Sequence, residues 1–226
     1  NVLSIITGSL FGNIFKERIK FKNFTVFGIA IMIISIVGFF ENIFDVNGMT
    51  LKSNDLLVVV FALIIGVILG DAIQLETKIN NISSYLNDSF TAFIDATIFF
   101  GVGGMQICGP IMLATVGDNS QLIIKSLIDF PFALMFGISY GKKVLLSSIP
   151  VAVVQVIIVL LTTLSKTFFD TTVIKQLCAM GYIILFFSGF NLIIDSKFKI
   201  KNINMIPGIF FIVIYNAVVF IWGWIV

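Results

Sequence analysis

Apolar runs of about twenty residues follow one another along this chain, separated by short polar or glycine-bearing connections. A helix of that length matches the hydrocarbon thickness of a bilayer. Inside lipid, only helices and closed barrels satisfy every backbone N–H and C=O. With 226 residues, 58% of them hydrophobic and 12% charged, and a mean hydropathy of +1.10, a water-soluble domain would lack the polar surface to cover itself. The expectation is an all-α fold: a polytopic transmembrane helical bundle forming one membrane domain over residues 1–226.

Punctuation places the spans near 1–15, 24–40, 55–74, 90–116, 121–140, 144–164, 176–194 and 205–226, eight in all. No signal-peptide cleavage pattern is visible, and the first span is short, as though a few leading residues were missing. The odd connections carry Lys16, Arg18, Lys20, Lys22, Lys78, Lys142, Lys143, Lys197, Lys199 and Lys201, while the even ones hold only Lys52, Lys166 and Lys175. Basic residues collect on the cytoplasmic side, which puts the odd connections inside and both termini outside. The longest inner connection, 75–88, repeats Leu75, Ile79, Ile82 and Leu86 at helical spacing. It reads either as an amphipathic helix on the membrane surface or as a tether between two halves.

Two internal similarities bear on organisation. Gly8-Ser9-Leu10-Phe11-Gly12-Asn13 resembles Gly66-Val67-Ile68-Leu69-Gly70-Asp71, and GxxxG pairs serve close helix packing or, alternatively, line a path. Lys22 to Gly28 to Ser35 parallels Lys175 to Gly181 to Ser188 at the same offsets. That match predicts an inverted repeat, residues 1–74 (spans 1–3) against 144–226 (spans 6–8), around a central hairpin at 90–140. Inverted repeats suit alternating access to a shared midplane site.

The central hairpin holds the unusual residues. Phe99-Phe100-Gly101-Val102-Gly103-Gly104-Met105-Gln106-Ile107-Cys108-Gly109-Pro110 breaks span four, and Pro110 removes the N–H that would serve the Gln106 carbonyl. A free carbonyl in lipid must find protein, water or a solute, so the break faces inward. Span five follows the turn Gly117-Asp118-Asn119-Ser120 and carries Lys125 and Asp129 on one face. Folding the hairpin about that turn sets Asp129 level with Cys108 and Gly109. Intramembrane charges are costly and are normally paired. Lys125, Asp129 and the further charge Asp95 therefore read either as a structural ion pair with a neighbour or as part of a solute or ion pathway, with Gly103, Gly104, Gln106 and Gly109 lining it.

The composition excludes other chemistry. There is no histidine, and Cys108 and Cys178 read first as packing thiols, with a disulfide or metal pair as the alternative. No nucleophile–base pair or metal-ligand cluster appears, so no enzyme, metal or cofactor is expected. A net charge of +2 implies no nucleic-acid partner. The partners expected are membrane lipids, a small solute or ion, and, through the GxxxG faces, a second copy in a homodimer.

Across nearly its whole length the chain resembles the bacterial integral-membrane family called domain of unknown function 554, the YdfK/YqgA-like proteins. The resemblance rests on Gly103, Met105 and Gly109 in span four, Lys125-Ser126 with Asp129, and Gln155 after the proline of span six. It also rests on Gly189-Phe190-Asn191-Leu192 and on Asn204 with Pro207. It implies a permease-like protein of the plasma membrane, and adds Gln155 and Asn191 to the candidate solute-binding residues. Met112-Leu113-Ala114, Pro110 and Asp95 depart from the family's pattern. The reading that competes with a transporter or channel is a non-transporting membrane scaffold or regulatory subunit. No sizeable soluble segment offers such a partner a grip.

Overall fold

The computed structural model describes residues 1–16, 25–47, 50–53, 55–85, 88–101, 104–165, 168–194 and 198–225. Helices α1 (Val2–Phe15), α2 (Thr25–Ile43) and α3 (Leu56–Ala72) come first, with a hairpin of β1 (Phe44–Asn47) and β2 (Thr50–Ser53) between the last two. Next are α4 (Leu75–Tyr85), α5 (Asp88–Gly101), α6 (Gly104–Val116) and α7 (Ser120–Tyr140). The chain continues through α8 (Ser148–Leu164), α9 (Thr171–Ile193) and α10 (Pro207–Ile225). Two 3-10 corners, Gly141–Ser147 before α8 and Asn202–Met205 before α10, turn the chain between helices.

Among the described residues, four helical runs are long and apolar enough to cross a bilayer: Thr25–Ile43, Ser120–Leu164, Thr171–Ile193 and Asn202–Trp222. The second of these is α7 and α8 joined at the corner that Gly141 opens with a φ of +75°. Shorter apolar helices are Val2–Phe15, Leu56–Ala72 and Met105–Val116. Large apolar side chains point outward from the periphery, with Leu3, Val26, Leu57 and Leu164 all more than 70% exposed. Contiguous apolar surface on that scale requires a lipid solvent. Within the bundle, 56% of the apolar stretch of α9 is buried, against 28% for α2 and 17% for the run ending in α10. Helix α9 is therefore the central element.

Glycines set the lateral contacts. Helix α1 runs parallel to α7, Gly8 against Phe130 and Ala133, Gly12 against Leu134 and Ile138; a Cβ at Gly8 would lie 2.6 Å from the Phe130 carbonyl oxygen. Helix α3 runs antiparallel to α10, Gly66 against Gly208 and Gly70 against Asn204. Both GxxxG pairs thus serve packing, and each docks its helix beside a 3-10 corner. Helices α2 and α9 lie antiparallel, Gly28 meeting Gly189 and Ile193, and Gly38 meeting the ring of Tyr182. Ser35 and Ser188, aligned by the proposed repeat, each donate to the carbonyl four residues back. Ser188 Oγ also accepts from Asn202 Nδ2 at 2.7 Å.

Segment 75–85 is helical, as its periodicity predicts, and is tied to the bundle at its start. The Glu76 N–H donates to Asn204 Oδ1 at 2.9 Å, and Asn204 Nδ2 donates to Asp71 Oδ1 at 2.7 Å. Half-buried there, the Glu76 carboxyl is raised above the ordinary range, chiefly by desolvation.

Candidate functional site

Helix α5 is described to Gly101 and α6 from Gly104; residues 102 and 103, where the glycine cluster was expected to break span four, lie outside the described set. Pro110 is accommodated inside α6, and Pro131 inside α7. Each removes one backbone donor, freeing the carbonyls of Gln106 and Leu127.

The α6–α7 turn closes tightly. Gly117 takes a φ of +72°, the Asp118 N–H reaches back to the Met112 carbonyl, and Asp118 Oδ1 accepts from the Ser120 N–H at 2.8 Å. The Asp118 carboxyl, exposed to water, is held below its ordinary range by its hydrogen bonds to Ser120. A left-handed glycine commonly ends a helix, as Gly117 does here. Across the hairpin, Gly109 packs against Leu122. Asp129 therefore sits beside Phe99 and Met105 rather than level with Cys108 and Gly109, as symmetric folding about the turn would place it.

Asp129 is the tenth residue of α7, ~14 Å along the helix axis at 1.5 Å per residue, which is mid-bilayer for a spanning helix. Lys125 Nζ stands 3.1 Å from both of its carboxylate oxygens, and the two residues are 7% and 3% exposed. Only Oδ1 accepts a hydrogen bond; Oδ2 is buried without one. Lys125 and Asp129 line a cavity of about 30 Å³ with Phe99 of α5, Met105 of α6, Ile31 and Ile34 of α2, and Leu185 of α9. That is room for a water-sized body.

A second buried polar group lies on α6. Gln106 is fully buried; its Oε1 accepts from Asn1 Nδ2 at 2.8 Å and from Gln155 Nε2 at 3.2 Å, and its own Nε2 donates to the Val151 carbonyl at 3.3 Å. The fold thus brings α1, α6 and α8 together on one amide. Ser126, next to Lys125, bonds to the Leu122 carbonyl and to the Asn1 backbone nitrogen.

The candidates therefore divide. Lys125 and Asp129 line one cavity, and Gln106, next in the chain to the cavity residue Met105, bonds Gln155; Gly104 is the first residue of α6. Gly109 does not line the cavity; a Cβ there would lie 2.6 Å from Leu122 Cδ2, so the glycine serves the α6–α7 contact. Asn191 is elsewhere, its amide donating to the Ile200 carbonyl at 2.7 Å and its Oδ1 accepting from the Ile200 N–H at 2.8 Å. It braces the connection to α10. Gly103 and the Asp95 side chain lie outside the described residues. Cys108 and Cys178, read first as packing thiols, are joined in a disulfide with Cα atoms 5.5 Å apart. Across a separation of 70 residues, sequence gives no distance. Ile31, Ile34 and Leu185 were not singled out in the sequence, because nothing marks one apolar residue among many as a cavity wall.

The profile of the family described as "Protein of unknown function (DUF554)" matches residues 1–217. The "Uncharacterized membrane protein YdfK" of Bacillus subtilis (strain 168) is 25% identical over 214 residues, covering 92% of this chain and 90% of its own. The "Uncharacterized protein YqgA" of Escherichia coli (strain K12) is 24% identical over 221 residues, covering 92% and 88%. No solved structure matches the chain. The chain belongs to the DUF554 family of membrane proteins.

Proposed function

We propose that this member of the family is a multi-pass plasma-membrane permease, a secondary transporter or channel that moves a small solute or ion past the Lys125–Asp129 pair. One observation carries the reading: a buried charge pair, one carboxylate oxygen of it without a hydrogen bond, borders a cavity walled by Phe99 of α5 and Met105 of α6. A carboxylate has about four acceptor positions. A purely structural pair buried in lipid would be expected to fill them, since unmet polar groups there are costly. Many transporters coordinate a solute with discontinuous helices beside a midplane charge, and the glycine cluster of span four is where the sequence would place such a discontinuity.

The arrangement has eight spans, with α5 and α6 as the two halves of the fourth, odd connections in the cytoplasm and both termini outside. The antiparallel contact of α2 with α9 supports relating the first three spans to the last three by an in-plane axis. The parallel run of α1 with α7 and the antiparallel run of α3 with α10 agree with the same alternation. No catalysis and no nucleic-acid binding is proposed.

A thermal-shift screen of the purified protein against ions, amino acids, polyamines and organic acids tests the reading. At least one class should raise Tm in the wild type and not in Lys125→Met/Asp129→Asn. A scaffold or regulatory subunit would show no class-specific shift that depends on the pair.

A further inference from the structure

A second chamber lies toward the end of the bundle where the α6–α7 turn and the β-hairpin sit. It has a volume of about 290 Å³, and its wall includes Glu41 of α2, Gln121 of α7, Thr115 of α6 and Lys175 of α9. Its base is formed by Cys108, Cys178 and Tyr182. These three are buried and pack against Met105 and Leu185. Met105 and Leu185 are in turn walls of the small cavity at Lys125 and Asp129. The two chambers share no lining residue, and a single layer of side chains divides them.

Both chambers present the same chemistry. Each holds one lysine and one carboxylate: Lys175 with Glu41 in the outer, Lys125 with Asp129 in the inner. Each also contains a buried acceptor without a hydrogen bond, Gln121 Oε1 in the outer and Asp129 Oδ2 in the inner. A solute that is only a cation would meet a lysine in both places, and one that is only an anion would meet a carboxylate. A small molecule carrying an ammonium and a carboxylate finds a complement to each end in the outer chamber, and the inner one, water-sized as it stands, repeats the same pair of charges. The dividing layer suits a gate. Methionine has three rotatable bonds and adapts to different packings, and Met105 is the second residue of α6.

We infer that the outer chamber is the mouth of the pathway for an amino-acid-sized zwitterion, and that the Met105–Leu185–Tyr182 layer is the gate closing it from the Lys125–Asp129 cavity. This rests on the transport reading given above, which it extends by naming the solute class and the gate. Helices α6 and α9, joined at Cys108 and Cys178, flank the gate.

The test uses full-length protein in proteoliposomes, in a Cys108→Ser/Cys178→Ser background, with one reporter cysteine at a time and a membrane-impermeant thiol reagent. Thr115→Cys in the outer chamber should label at least tenfold faster than Ile34→Cys in the inner one. Adding Met105→Ala should raise the Ile34→Cys rate at least tenfold and leave Thr115→Cys unchanged. Leu185→Ala provides the same reading where Met105→Ala folds poorly. Equal rates at the two reporters, or an Ile34→Cys rate that neither gate variant changes, would overturn the gate. Glycine, alanine or glutamine should slow Thr115→Cys labelling, whereas methylamine or acetate should not. Protection by methylamine or acetate alone, or by none of the five, would refute the zwitterion class. Labelling rates need no solute, so the gate can stand or fall separately from the transport reading.

Discussion

Removing the Asp129 carboxylate should destabilise the protein more than almost any other single polar change. In Asp129→Asn, Lys125 keeps its ammonium at 7% exposure but loses the counter-charge 3.1 Å away. Breaking one side of a buried pair costs about 3–5 kcal/mol, because the remaining charge stays desolvated without compensation. For chains of this size each kcal/mol corresponds to ~2–4 °C, so Tm should fall by about 6–20 °C. Lys125→Met added to Asp129→Asn removes the stranded charge and should recover at least half of that loss. Thermal unfolding of the three variants in one detergent, followed by tryptophan fluorescence, measures the cycle. A single variant melting within about 2 °C of the wild type would show the ammonium to be hydrated, and would refute the buried pair. Recovery of stability with function retained in the double variant would assign the pair to structure alone.

Gly109→Leu should lower stability by ~1–3 kcal/mol or more through overpacking against Leu122, and a melting curve should show it before any binding defect. Glu76 should make the α3–α4 corner weaken as pH rises. Its folded pKa lies above the ordinary 4.5, so the native state binds the proton more tightly and stability is lost from that value upward through the raised one. Hydrogen exchange over residues 71–85 should therefore be slower at pH 5 than the intrinsic rate change explains, and Glu76→Gln should remove the difference; an unaltered pH dependence in Glu76→Gln would contradict it. With native cysteines replaced by serine, Lys142→Cys should resist impermeant thiol reagents in intact cells while Thr171→Cys reacts. The opposite pattern would overturn the eight-span topology.

The helix positions were legible because lipid imposes a length; the expected break at the glycine cluster falls on residues 102 and 103, outside the described set, and Pro110, expected to interrupt the span, lies within α6. Lateral packing was readable only where glycines marked it, as at Gly12 and Gly70. Helices α1 and α3 are apolar on every side, so no face announces itself as the inner one. The depth of Asp129 was misjudged because the closure at Gly117 offsets α6 against α7, a backbone detail that side-chain pattern does not carry. Lys125 with Asp129 stood out through their spacing of four. The meeting of Gln106 with Gln155 depends on α6 and α8 lying together, across 49 residues of chain.

The central claim is that the buried pair serves a passing solute. Binding of alanine or glutamine to the purified protein, measured by isothermal calorimetry with wild type and Lys125→Met/Asp129→Asn side by side, tests it most directly. The account predicts heat of binding for the wild type and none for a double variant that remains monodisperse. Equal binding by both proteins would contradict it.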